Sequence, residues 1–439
     1  MQVFNVKDFG ATGAKDQDAQ SAIQSAIDAC SNSGGGMVYF PPGEYTSGTV
    51  HLRSHMRLHV EAGAIVYSSK NPDTYDKESL LYGEDIENIT IEGRGTFNGQ
   101  SAYEWRINDM DDRYILPNQR RMEALGKPLR RAFPAAGSFG KLMLLIRCKD
   151  VQIQDLSFLD SPFWTMHLYG CEHVVIDRLY ISTSRESGVW ADGIDPDGCK
   201  DVHISNCTID TGDDALVFYS YDFHGPALPC ENITVTNCRL SSASSALKFC
   251  DGNKNCIRNV TIDNCVITDS NRGIAFMVFD GGYVSDVVIS NLTVACRRYD
   301  WFWWGDGDPF HFNVIRRSEI HPESAAHDEP PAGSIRNVLI KNVIAHGNGP
   351  SVISGHPDSC LEGITMKDIK LFVSSDPTAP YEKEGHAIKF QHARHLKLEN
   401  IEVAIADPES TPWLGAIQFD DVEGLDFTGF KERSTGANG

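Results

Sequence analysis

The sequence predicts an all-β chain wound as a single-stranded, right-handed parallel β-helix with an N-terminal capping helix. Two recurring strand signatures and a phased series of asparagines predict it. The first signature reads "NITIEG", "DVQIQD", "DVHISN", "NITVTN", "NVTIDN", "DVVISN", "NVLIKN", "GITMKD" and "HLKLEN". These short, β-branched, alternating runs recur mostly every 24–32 residues, a period that signals a solenoid of strands. The second signature is small–Leu/Ile–x–Phe, in "DDALVFY", "SSALKFC", "RGIAFMV", "HAIKFQH" and "GAIQFDD". Asn206, Asn237, Asn264, Asn291, Asn342 and Asn400 close their strands at one phase. Asn tolerates the left-handed turn conformation, and its amide can bond to the next coil.

Alternation places Leu216, Leu247, Ile274, Ile388 and Ile417 inward, each with the Phe two residues on. Val217, Lys248, Ala275, Lys389 and Gln418 then face outward as a ladder suited to a chain-like ligand. An open solenoid end needs a cap. Residues 18–31 supply one, because Ala19, Ala22, Ile23, Ala26, Ile27 and Cys30 form one helical stripe. No linker interrupts the rest, so 1–439 is expected to be one domain. Loop insertions are expected at about 101–140 and 297–333.

The 439 residues carry a formal charge of −21. That excludes a nucleic-acid partner, which needs a basic footprint, and speaks against a polyanionic ligand unless a local basic groove exists. No segment is long and apolar enough for a membrane helix. The start "MQVFNVKDFGATGAKD" shows no secretory n- and h-region, and a cytoplasmic location is expected. Of twelve cysteines, Cys207, Cys238 and Cys265 share one repeat phase. Cys148, Cys171, Cys199, Cys230, Cys256 and Cys360 share another. Stacked core thiols are expected, not disulfides or a metal site.

One stretch carries chemistry. "TIDTGDDAL" sets Asp213 beside Asp214, and "GVWADGIDPDG" sets Asp192 twenty-one residues earlier, near one coil. Three carboxylates on adjacent rungs of an exposed ladder repel, so at least one pKa rises. That suits an acid/base pair. Asp195 and Asp197, in "DPDG", are expected to cap a turn.

"WADGID" and "TGDDAL" at this spacing resemble the Asn-Thr-Asp and Asp-Asp motifs of glycoside hydrolase family 28, the polygalacturonases. "VKDFGATGAKDQDAQSAIQSAIDAC", "GGGMVYFPPGEY" and "SPFWTMHLYGCEHV" extend the resemblance over most of the chain. The resemblance implies a pectin-lyase-like β-helix and inversion at the anomeric centre. By it Asp213 is the general acid, and Asp192 and Asp214 hold and deprotonate the water. No metal or cofactor is implied, and the partner is an oligosaccharide or polysaccharide. An inverting pair is expected roughly 6.5–9.5 Å apart, to admit a water.

The chain departs from the family at substrate-facing positions. Trp190 replaces the Asn of Asn-Thr-Asp. Ser245 stands where Gly-His-Gly carries its His. Ala275 and Met277 stand where an Arg-x-Lys grips the galacturonate carboxylate. Either the sugar is neutral, facing Met277 and Trp190, or the grip is rebuilt from Lys248, Arg272, Arg297 or Arg298. Trp301, Trp303 and Trp304 in "RRYDWFWWGDGDPFHF" are candidate sugar platforms, with His311 on the next outward rung. His167, one rung before Asp192, is a candidate substrate or tuning residue. Two loop walls closing a groove favour release of terminal sugars. A polysaccharide lyase, which could use calcium at Asp213 and Asp214, and a non-catalytic glycan-binding β-helix are the alternatives.

Overall fold

The computed structural model describes the chain outside residues 109–130, 135–139, 186–187, 300–304, 321–328, 376–384, 407–412 and 436–439. The fold is the expected right-handed parallel β-helix, the hand that parallel crossovers take almost without exception. Two compact units emerge: Met1–Ile107, Ala132–Asp213 and Glu231–Cys238 in the first, and Asn108–Arg131, Asp214–Cys230 and Arg239–Gly439 in the second.

The first unit begins with the cap. Helix α1 (Gln20–Asn32) buries Ile23, Ala26, Ile27 and Cys30, the stripe read from the sequence. Asp18 Oδ1 accepts from the Gln20 N–H at 3.0 Å and closes its first turn. Beyond it, coils stack in register. One column of side chains runs Val38, Leu58, Ile91, Ile153, Ile176, Ile204, Val235. All seven are buried, so each coil covers the apolar edge of the last.

In the second unit the core column is aromatic. Phe218, Phe249, Phe276 and Phe312 are in register. Their ring centroids lie 5.2, 4.2 and 4.2 Å apart. Such pairs add about 0.5–1.5 kcal/mol each beyond burial. Leu216, Leu247, Ile274 and Ile388 point inward as expected, while Ile417 is only half-buried on the last coils.

The outward column is also in the expected register: Val217, Lys248, Ala275, His311, Val352, Lys389, Gln418. It is not an open ladder. Val217, Lys248 and Ala275 are buried, and only the later rungs reach half-burial. Alternation fixes which way a side chain points but not what covers it.

The turns follow the asparagines. All six have φ between 53° and 59°. Asn237 Nδ2 donates to Asn206 Oδ1 at 3.4 Å, and Asn342 Nδ2 donates to Asn291 Oδ1 at 2.6 Å. The cysteines of both repeat phases are free thiols, buried except for half-buried Cys360. Within 101–140, a helical turn (Ser101–Glu104) and two short strands (Trp105–Asn108 and Arg131–Pro134) stand apart from the main sheet. Within 297–333, Asp308–Val314 is itself a rung strand, so that stretch is only partly insertion. Among the described residues no helix is long and apolar enough to cross a membrane.

Candidate active site

The first unit contributes Asp192 and Asp213. Asp213 follows Gly212, where a Cβ would sit 2.1 Å from the Ser184 carbonyl oxygen. Only glycine lets the chain pass there. Thr183 Oγ1 ties the neighbouring strands by accepting from Gly212 N–H and donating to the Ala191 carbonyl, both at 2.9 Å. Asp192 and Asp213 thereby offer carboxylate oxygens within 4.8 Å of each other. Both residues are 2 % exposed. They are buried groups, not members of an exposed ladder. Their oxygens approach more closely than the expected 6.5–9.5 Å, because stacked coils repeat at one strand spacing, about 4.8 Å.

Trp190, one of the residues read as facing substrate, has φ 65°, a strained conformation for a bulky side chain. Its backbone N–H donates to Asp213 Oδ2 at 2.9 Å, and its side chain stays 37 % exposed. Phe163 packs against it with centroids 5.9 Å apart, and Trp164 stacks on Phe163 at 5.7 Å. The sequence reading passed over this Phe163–Trp164 pair, although both lie in "SPFWTMHLYG".

His167 is not an outward substrate ligand. It is fully buried, with Nε2 3.3 Å from Asp197 Oδ2 and the Trp164 ring edge-on at 4.8 Å. Asp195 and Asp197 do not cap a turn; they lie in the strand Ile194–Asp197 and are fully buried. His167 pairs in register with Asp195. A buried carboxylate needs such a partner, so this group has a structural task.

Asp214, the residue after Asp213, lies in the second unit. Its Oδ1 accepts from Ser244 Oγ at 2.8 Å and from the Ser245 N–H at 3.0 Å. Its Oδ2 accepts from Lys248 Nζ at 2.8 Å. Lys248 also lies 3.4 Å from Asp251. Ser245 thus reaches the site through its backbone. One rung on, Arg272 Nε is 3.6 Å from Asp308 Oδ2 and Arg272 Nη1 is 3.7 Å from Met277 Sδ. His311 Nδ1 is 3.0 Å from the same Asp308 oxygen. Burial, then the Arg272 charge, hold the His311 pKa below the usual histidine value. Burial raises the Asp308 pKa, but the His311 hydrogen bond and the His311 and Arg272 charges outweigh it and hold the carboxyl below its ordinary value.

Asp308, Asp251 and Ser244 were not singled out in the sequence. Asp308 could have been found, because it lies three residues before His311 and in register with Arg272. Of the other candidate cations, Arg297 pairs with Asp269 and Arg298 with Asp306. Trp301, Trp303 and Trp304 lie outside the described residues. Asp192, Asp213 and Asp214 are oxygen donors of the kind a hard cation takes. Lys248 already serves as the counter-charge of Asp214, so the site has a protein cation of its own.

Comparison with known proteins points to a family. Residues 135–296, which hold all three aspartates, match the sequence model for glycosyl hydrolases family 28. That match supports placing the chain in this family. Residues 3–111 match a second model, rhamnogalacturonase A/epimerase, pectate lyase-like. A probable polygalacturonase of Vitis vinifera is 23% identical over 84% of this chain and 74% of its own length. An exopolygalacturonase of Platanus acerifolia is 26% identical over 54% of this chain, and that alignment spans 56% of the Platanus protein. The exopolygalacturonase of Thermotoga maritima shares the fold, with a TM-score of 0.66 and 23% identity over 92% of this chain and 91% of its own. The match to family 28 and the polygalacturonase relatives support a glycoside hydrolase and do not favour the lyase and binding-module alternatives.

Proposed function

We propose that this family 28 hydrolase acts on a pectin-type polysaccharide from the chain end, inverting the anomeric centre, with Asp213 as general acid. One observation carries the acid assignment, inversion being supported by the family and not by this spacing: the buried Asp192 and Asp213 carboxylates lie within 4.8 Å, with Asp214 next in the chain. Like charges that close favour one shared proton, which is what a general acid must hold. Asp213 meets the Trp190 N–H, whereas Asp214 meets three donors including an ammonium. The two environments separate the roles: Asp213 delivers a proton to the leaving oxygen, while Asp192 and Asp214 take the water's proton and orient it. Inversion is the general outcome of the family. Relatives named exopolygalacturonase and exo-poly-alpha-D-galacturonosidase support attack at the chain end on pectin.

The test is product analysis by NMR on pectin fractions with wild type and Asp213→Asn. The expected result is a released sugar of inverted configuration and a fall in kcat of about 10³-fold in the variant. Retained configuration, an unsaturated product or activity surviving in Asp213→Asn overturns the assignment.

A further inference from the structure

The floor beside Asp214 has a charge balance that bears on the sugar it accepts. Resting on the hydrolase reading above, we infer that this floor takes a neutral sugar residue and rejects a uronate. The floor consists of Lys248, Ala275 and His311 on successive rungs, with Arg272 and Met277 flanking Ala275 on the same strand. A uronate carboxylate brought here needs a cation whose charge is not already spent. Lys248 is shared between Asp214 at 2.8 Å and Asp251 at 3.4 Å. Arg272 faces Asp308 at 3.6 Å. Arg317, which reaches the Asp251 carbonyl, is paired with Asp280 at 2.7 Å, so four carboxylates stand against three cations and another negative charge meets net repulsion at low dielectric.

His311 does not restore the balance. Burial and the Arg272 charge disfavour its cationic form. With Nδ1 engaged by Asp308, its proton sits on Nδ1 and Nε2 becomes an acceptor. An acceptor takes a sugar hydroxyl and repels a carboxylate. Its side chain keeps 17% exposure, so it is reachable. Ser245 Oγ is buried with no hydrogen-bond partner and can give or take a bond with another hydroxyl. Ala275 and Met277, both buried, add apolar side chains and no cation between these groups, so they give a uronate carboxylate no partner.

The matched probes are an α-1,4-linked galacturonic acid trisaccharide and its carboxyl-reduced form, in which each carboxylate has become a hydroxymethyl. Binding to full-length Asp213→Asn is measured by calorimetry, so the readout does not depend on turnover. The reduced trisaccharide is expected to bind at least about 10-fold tighter, since an unpaired buried charge is costly. Equal affinity, tighter binding of the acid form or no binding of either overturns the inference. In Asp213→Asn/Asp308→Asn the Arg272 charge is no longer opposed, and discrimination against the acid form is expected to fall several-fold. Unchanged discrimination there overturns the charge argument. If that variant does not fold, the single-variant comparison still decides. Turnover of the same pair by wild type separates the two readings: preference in binding with no hydrolysis refutes the proposed function alone.

Discussion

Lys248→Met tests whether Asp214 is held by its ion pair with Lys248. The ammonium and the Asp214 carboxylate are 2.8 Å apart, with side chains 9% and 2% exposed, so solvent screens them little. Removing one partner of such a pair leaves the other charge buried and costs about 3–5 kcal/mol. The Ser244 and Ser245 donors remain on Asp214, which places the expected loss near the lower end, about 3 kcal/mol. Asp214→Asn leaves Lys248 its contact with Asp251, and the double variant removes both charges. Urea denaturation of the four proteins gives the coupling, expected at about 2–3 kcal/mol, with midpoints shifting at constant m-value. The same substitution releases Asp214 from its fixed orientation, and kcat should fall about 100-fold. A coupling below about 0.5 kcal/mol would falsify the claim that Lys248 is the counter-charge of Asp214.

Other outcomes follow from single residues. Asn342→Ala forces alanine to φ 53° and removes the 2.6 Å bond to Asn291. It should lower stability by about 1–2 kcal/mol in denaturation, with Asn342→Gly losing less because glycine adopts that φ freely. The depressed His311 pKa means the unfolded chain binds a proton that the folded chain does not, over the window between the folded value and the ordinary value of about 6.5. Stability should therefore fall as pH drops below about 6.5, and His311→Gln should flatten that slope; an unchanged pH–stability curve refutes it. The depressed Asp308 pKa gives stability that is full above the usual carboxylate range and is lost as pH falls through the folded value. Asp308→Asn should remove that acid-side slope. Phe276→Ala, in the middle of the ring column, should cost about 3–5 kcal/mol, read as a lowered urea midpoint.

The features most legible in the sequence are those that repeat. The column from Val38 to Val235, the Phe218–Phe312 stack and the left-handed asparagines each occur coil after coil, so one period exposes them all. The aspartates were legible because two adjacent carboxylates with a third one coil earlier have few idle explanations. What sequence did not yield was cover and pairing. Val217 and Ala275 point outward yet are buried, because facing out of a coil says nothing about the chain laid over it. His167 was expected beside substrate and is enclosed with Asp197 and Trp164. "DPDG" has turn composition, but Asp195 and Asp197 continue a strand whose neighbour supplies the His. Tertiary partners overrode local propensity there.

The adjacency of Asp213 and Asp214 now has a physical account. Consecutive residues leaving a strand point different ways, so two neighbouring carboxylates can meet unlike donors. Asp213 meets an uncharged backbone N–H from Trp190, held out of ordinary geometry at φ 65°. Asp214 meets an ammonium and two serine donors. An ammonium stabilises only the ionised form, whereas an amide N–H is compatible with a carboxyl that carries its proton on the other oxygen. Two acids of one kind, side by side, are set toward one proton donor and one acceptor by meeting unlike donors.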